Sequence, residues 1–140
     1  MRAICLVFFL MLSACATLKG QGDLELLKPA IENFHQRARW KDFRGASELV
    51  VPEKRAAFLA AREALRDDKD LNITDYSLED ATIQPNLTEA VAVTRVSWFR
   101  LPSASEQSAT VRSRFVWRDG AWLLDGQDGG PFASELSLGK

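Results

Sequence analysis

Acid–base chemistry near neutral pH has one histidine to draw on in this chain of 140 residues, His35. Imidazole is the side chain whose unperturbed pKa lies in that range. His35 follows Phe34 on what the spacing makes an apolar helical face. It either transfers protons or borders the core with a hydrogen-bond partner. A second candidate pair is Asp75 and Tyr76, a carboxylate next to the chain's one tyrosine. Consecutive strand residues point to opposite faces, so the pair needs a bulge to act together. A serine nucleophile would have to use His35 as its base, and the sequence holds no G-x-S-x-G elbow and no phosphate-binding glycine loop. Metal ligands are equally scarce: one histidine, two cysteines near the amino terminus and no EF-hand spacing. Neither metal nor cofactor is expected.

The arginines offer binding rather than catalysis. Arg95, Arg100, Arg112, Arg114 and Arg118 fall in strand-like segments, with Trp98 among them. If Ala92, Thr94, Val96, Trp98 and Arg100 share a face with Arg112 and Arg114, that face is a basic ladder around an indole. Guanidinium stacking on tryptophan contributes about 0.5–1 kcal/mol at an exposed site. Such a face suits an anionic ligand, and in that register Arg95 and Ser97 turn toward the core and mark a polar pocket mouth. The other reading is a solvated outer face whose arginines pair with nearby carboxylates. A register one residue different moves Trp98 to the opposite side and Arg95 and Ser97 outward.

The elements that must hold these residues come in two blocks. Pro29 fits a first helical position, and Ile31, Phe34, His35 and Ala38 recur at helical spacing. Trp40 and Phe43 extend the buried stripe, Ala46, Leu49 and Val50 close it, and Pro52 restarts a helix that runs through Phe58 to Leu65. Arg66 to Asp70 then ends it in solvated charge. After that the period changes. Asn72 to Gln84 reads as a strand with a bulge or bend at Glu79-Asp80, and Pro85-Asn86 as a turn. Ala90 to Leu101 and Ser108 to Arg118 are rich in β-branched and aromatic residues. Asp119-Gly120 is a two-residue hairpin signal. It sets Trp117 opposite Trp122 and Phe115 opposite Leu124, with Arg112, Arg114 and Arg118 on the other side. Residues 126–140 lack a period and read as a mobile tail.

The amino terminus carries an address. Arg2 precedes ten uncharged residues, Ala3 to Leu12, too few for the roughly 20 needed to span a bilayer but suited to a secretory signal. Leu12-Ser13-Ala14-Cys15 resembles the lipobox of bacterial lipoproteins. That resemblance implies a signal peptide over 1–14, a diacylglyceryl thioether on Cys15, and a tether to residue 22. Ala16, rather than Asp, implies sorting to the outer membrane, its inner leaflet bearing the domain toward the periplasm. The alternative is ordinary cleavage after Ala14-Cys15-Ala16, releasing a soluble protein that starts at Thr17. With Cys5 removed and Cys15 modified, the mature chain has no free thiol. Palmitate-type chains contribute about 0.8 kcal/mol per buried methylene, and two or more hold firmly. Thr17 to Gly22 reaches at most about 20 Å at ~3.5 Å per residue.

Removing the first 14 of 140 residues leaves 126, one domain's worth, and takes the formal charge from −1 to −2 with the loss of Arg2. That balance argues against a nucleic-acid partner. Helices first and antiparallel strands afterwards predict an α+β domain over 23–125. Bent helices, a strand, a long hairpin and a last strand in "WRDGAWLLDG" resemble the NTF2-like (cystatin-like) family, in which a curved sheet wraps the helices into a cone. The resemblance implies a pocket at the open end. It also implies two roles besides binding: an enzyme of the ketosteroid-isomerase or SnoaL-like type using His35, Asp75 or Tyr76, or a structural part of envelope assembly. The leading expectation is a non-catalytic module that meets an envelope protein or an anionic ligand.

Overall fold

The computed structural model describes residues 22–139. The signal segment and Cys15 lie outside the described residues. Five helices and four strands follow in the order α1 (Leu24–Arg39), α2 (Phe43–Glu48), α3 (Pro52–Ala64), α4 (Asp67–Asp70), β1 (Leu71–Ile83), β2 (Glu89–Arg100), β3 (Gln107–Arg118), β4 (Ala121–Asp128) and α5 (Ala133–Leu136). The strands form one antiparallel sheet in the order β1-β2-β3-β4. Residues 49–51 close its β4 edge, where Val51 N–H donates to the Leu124 carbonyl and Leu124 N–H to that of Leu49.

α1 starts five residues before Pro29, because Asp23 accepts from the Glu25 N–H and caps the helix. Pro29 therefore sits within α1 and not at its first position. It is tolerated because it faces solvent, where the unbonded carbonyl one turn back can be hydrated. Leu27, Ile31, Phe34, His35 and Ala38 form the buried face as their spacing predicts. Trp40 does not continue that stripe. It is the C-cap of α1, the chain turns at Lys41 with φ of 62°, and the indole is left 74% exposed. Pro52 opens α3 as expected.

β1 carries two bulges against β2, at Thr74 and Glu79. The second lies where the sequence marks a break, and bulges bend a strand and increase its twist. Asp119 and Gly120 take φ of 51° and 79°, the paired positive values of a type I′ turn. The hairpin sets Trp117 opposite Trp122 and Phe115 opposite Leu124.

Residues 126–140 are not a loose tail in the described part. β4 continues to Asp128, Gln127 is buried on Ser113, and α5 brings Phe132 and Leu136 into the core. Phe132 meets Phe34, Phe43 and Phe58 edge-on, with ring centroids 5.5–6.4 Å apart. Two apolar residues four apart, Phe132 and Leu136, give one short helical turn something to bury. That is too little periodicity to read from sequence.

Candidate functional site

His35 and Tyr76 are brought together. The rings stack at 5.4 Å with an interplanar angle of 22°, and Phe34 approaches His35 edge-on at 5.5 Å. Burial lowers the imidazole pKa to about 4, because the charged form is poorly solvated there. Nε2 has no hydrogen-bond partner among the described residues. His35 is thus a neutral core residue at physiological pH, without the partner its core reading called for. Asp75 is not part of this arrangement. It pairs with Ser97 on the outer side of the sheet, whereas Tyr76 pairs with Val96 on the inner side, and neither bulge falls between them.

A groove of about 540 Å³ runs beside this stack, between α1 and β1, lined by Lys28, Glu32 and residues 76–81. It forms because the second half of β1 extends past the helices, leaving Ala81 exposed on the inner side. Its walls are largely polar, unlike the apolar clefts that enclose small ligands. Acidification offers a test of the buried imidazole. The folded-state pKa is depressed, so the unfolded chain binds the proton first between pH 6.5 and 4 and stability falls across that window. The drop should be on the order of 3 kcal/mol, from ~1.4 kcal/mol per pKa unit. His35→Phe should remove that component of the pH dependence in urea titrations at pH 7 and pH 4.

The arginine ladder around an indole does not form. The inner face of β2 is Ala90, Ala92, Thr94, Val96 and Trp98, all buried, and the first three pair with Phe115, Ser113 and Val111 of β3. Trp98 is therefore a core residue. Ala90 and Ala92 are fully buried in the core cluster on this face, which places Arg95 and Ser97 outside. Arg112 and Arg114 stand opposite Val93 and Val91 on the same outer face as Arg95. Most of that face is paired. Arg95 meets Glu79 at 3.3 Å, Arg114 meets Asp125 at 2.8 Å, and Arg118 meets Glu53 at 2.7 Å. Arg112 makes no ion pair among the described residues.

Sequence reasoning missed a buried charge cluster. Arg62, 3% exposed, pairs with Asp67 at 2.7 Å and with Glu135, while Asp67 also accepts from Arg100. The Arg62 guanidinium lies 4.4 Å from the Phe132 ring centroid and 5.2 Å from that of Phe58. Desolvation lowers its pKa to about 10, with Glu135 opposing the shift. Asp67 is fully buried, so the Arg66 to Asp70 run is not simply solvated charge. Arg100, expected on a binding face, turns inward to this cluster. A cleft of about 260 Å³ lined by Phe43, Leu59, Arg62, Glu63 and Asp68 lies over it. With two cations and two carboxylates the cluster is self-neutralised, and it joins α3, α4, β2 and α5 rather than presenting charge to a ligand.

Comparison with known proteins gives the fold and nothing finer. No family model matches the chain, and no curated protein matches it. Among solved structures, a SEC-C-motif protein of Rhodopseudomonas palustris is similar, with a TM-score of 0.58 and 16% identity over 73% of this chain and 77% of the other. A conserved protein of Planctomyces limnophilus has a TM-score of 0.57 and 17% identity over 75% and 92%. A proposed polyketide cyclase of Xanthomonas campestris pv. campestris has a TM-score of 0.50 and 16% identity over 68% and 83%. Amino-terminal helices packed on a curved, four-stranded antiparallel sheet form an α+β domain, the architecture expected from the sequence, and these solved structures share its fold.

Proposed function

We propose that this chain is an outer-membrane lipoprotein, anchored through acylated Cys15 and facing the periplasm, whose NTF2-like domain binds or scaffolds and does not catalyse. The observation that carries the second half is the filled cone. The space a substrate chamber would need holds Phe34, Phe58, Phe115, Trp122 and Phe132, all buried, with α5 packed behind them. Asp75 and Tyr76 face opposite ways, and His35 is held neutral, so the three candidates lack the shared geometry of an acid–base site. The first half rests on the Leu12-Ser13-Ala14-Cys15 sequence, followed by a tether short enough to hold the domain near the bilayer. Cys15→Ser should abolish incorporation of labelled palmitate and move the protein out of the membrane fraction. Retention of both label and membrane association would refute the anchor.

A further inference from the structure

The two ends of the domain differ in what they expose. Gly22 N–H donates to the Leu87 carbonyl, so the chain enters beside the β1–β2 turn. α1 and β2 both run from there to the opposite end, about 24 Å for the helix at 1.5 Å per residue and about 40 Å for the strand at ~3.3 Å. At that far pole Trp40 is 74% exposed, and Leu65 and Leu101 are exposed as well. α4 ties these positions together. Leu65 caps the preceding helix, Leu101 N–H donates to the Asp70 carbonyl at 2.9 Å, and the Lys41 ammonium reaches the Lys69 carbonyl at 3.5 Å.

Cations crowd the same pole. Arg39 and Lys41 flank Trp40, Arg44 follows in α2, and Arg66 and Lys69 belong to α4 and its cap. Glu63, Asp68, Asp70 and Glu106 lie among these five, while Asp42 is taken up by Arg37 at 2.7 Å, leaving one excess positive charge in a chain whose formal net charge is −1. None of the five forms an ion pair among the described residues, and Arg39 and Lys41 donate to main-chain carbonyls instead. The outer sheet face is the contrast, since Arg95, Arg114 and Arg118 there each hold a carboxylate.

We propose that this pole is a docking surface for an acidic segment of a partner protein, with an apolar residue of that segment packed on Trp40 and Leu101. Tryptophan and arginine are the residue types that most often anchor protein interfaces, and unpaired cations supply the complementary charge. A protein suits the pole better than a lipid surface because the chain enters at the other end. The proposal rests on the lipoprotein reading only for that orientation.

Photocrosslinking in intact cells tests it, with a photoreactive phenylalanine in place of Trp40 and, as control, in place of Leu24. The expected result is a protein adduct from position 40 alone, its linked peptide rich in Asp or Glu with an apolar residue. Arg44→Glu with Lys69→Glu, both on exposed side chains, should weaken the adduct at least tenfold at an unchanged melting temperature. A lipid or glycan adduct, a linked segment that is not acidic, indifference to charge reversal, or no adduct would overturn the proposal. Palmitate labelling in the same cells keeps failure of the anchor separate from failure of the docking surface.

Discussion

Asp67→Ala should destabilise the domain by about 3–5 kcal/mol, the cost of breaking a buried ion pair by removing one partner. Asp67 has no exposure and holds both Arg62 and Arg100. Without it, two guanidiniums whose pKa values are already lowered by desolvation are left with Glu135 as their remaining carboxylate in the cluster. Arg62, at 3% exposure, has little access to water that could replace the lost partner. Asp68→Ala is the matched control. That side chain is exposed one residue away, and surface changes of this kind fall within about 0.5 kcal/mol. Urea unfolding of both variants reads the difference directly. Equal midpoints would mean that the cluster contributes nothing to folding.

Phe132→Ala should cost about 3–5 kcal/mol, the range for emptying a buried aromatic site. The ring touches three other phenylalanines and the face stacked on Arg62, so the cavity would open in the centre of the core. A loose tail would predict no loss at all. The urea midpoint should fall with little change in slope, since the surface exposed on unfolding is nearly the same. A midpoint within about 0.5 kcal/mol of the parent would show that α5 does not pack as described.

Those two residues also mark where sequence stopped being informative. The α+β order, the α1 stripe, the bulge at Glu79 and the type I′ turn at Asp119-Gly120 were legible because each depends on local spacing or backbone chemistry. The register of β2 was not. Val91, Val93 and Phe99 on one side match Ala90, Ala92, Val96 and Trp98 on the other in apolar character, so the pattern could not choose the inner face. The deciding factor was which face of the sheet the core covers, which is a tertiary property. Asp67 and Asp68 are likewise indistinguishable in the chain, and only Arg62 and Arg100, 5 and 33 positions from Asp67, separate them. Trp40 was misplaced because hydrophobic spacing says nothing about where a helix ends. The cap at position 40 turned a presumed core residue into an exposed one.

The candidate site changed accordingly. The residues picked for chemistry divide between the core (His35, Trp98 and the half-buried Tyr76) and the outer face (Asp75, Arg95, Arg112, Arg114). The surface that gathers exposed aromatic and unpaired cationic groups is one the sequence reading had assigned to core and solvent.

The intact mass of the amino-terminal peptide, taken from protein in the native membrane fraction, tests the central claim most directly. A peptide beginning at Cys15 and carrying diacylglyceryl, with or without a further acyl chain on the amine, is the result predicted. A free amine at Thr17 would contradict it and release the domain from the membrane altogether.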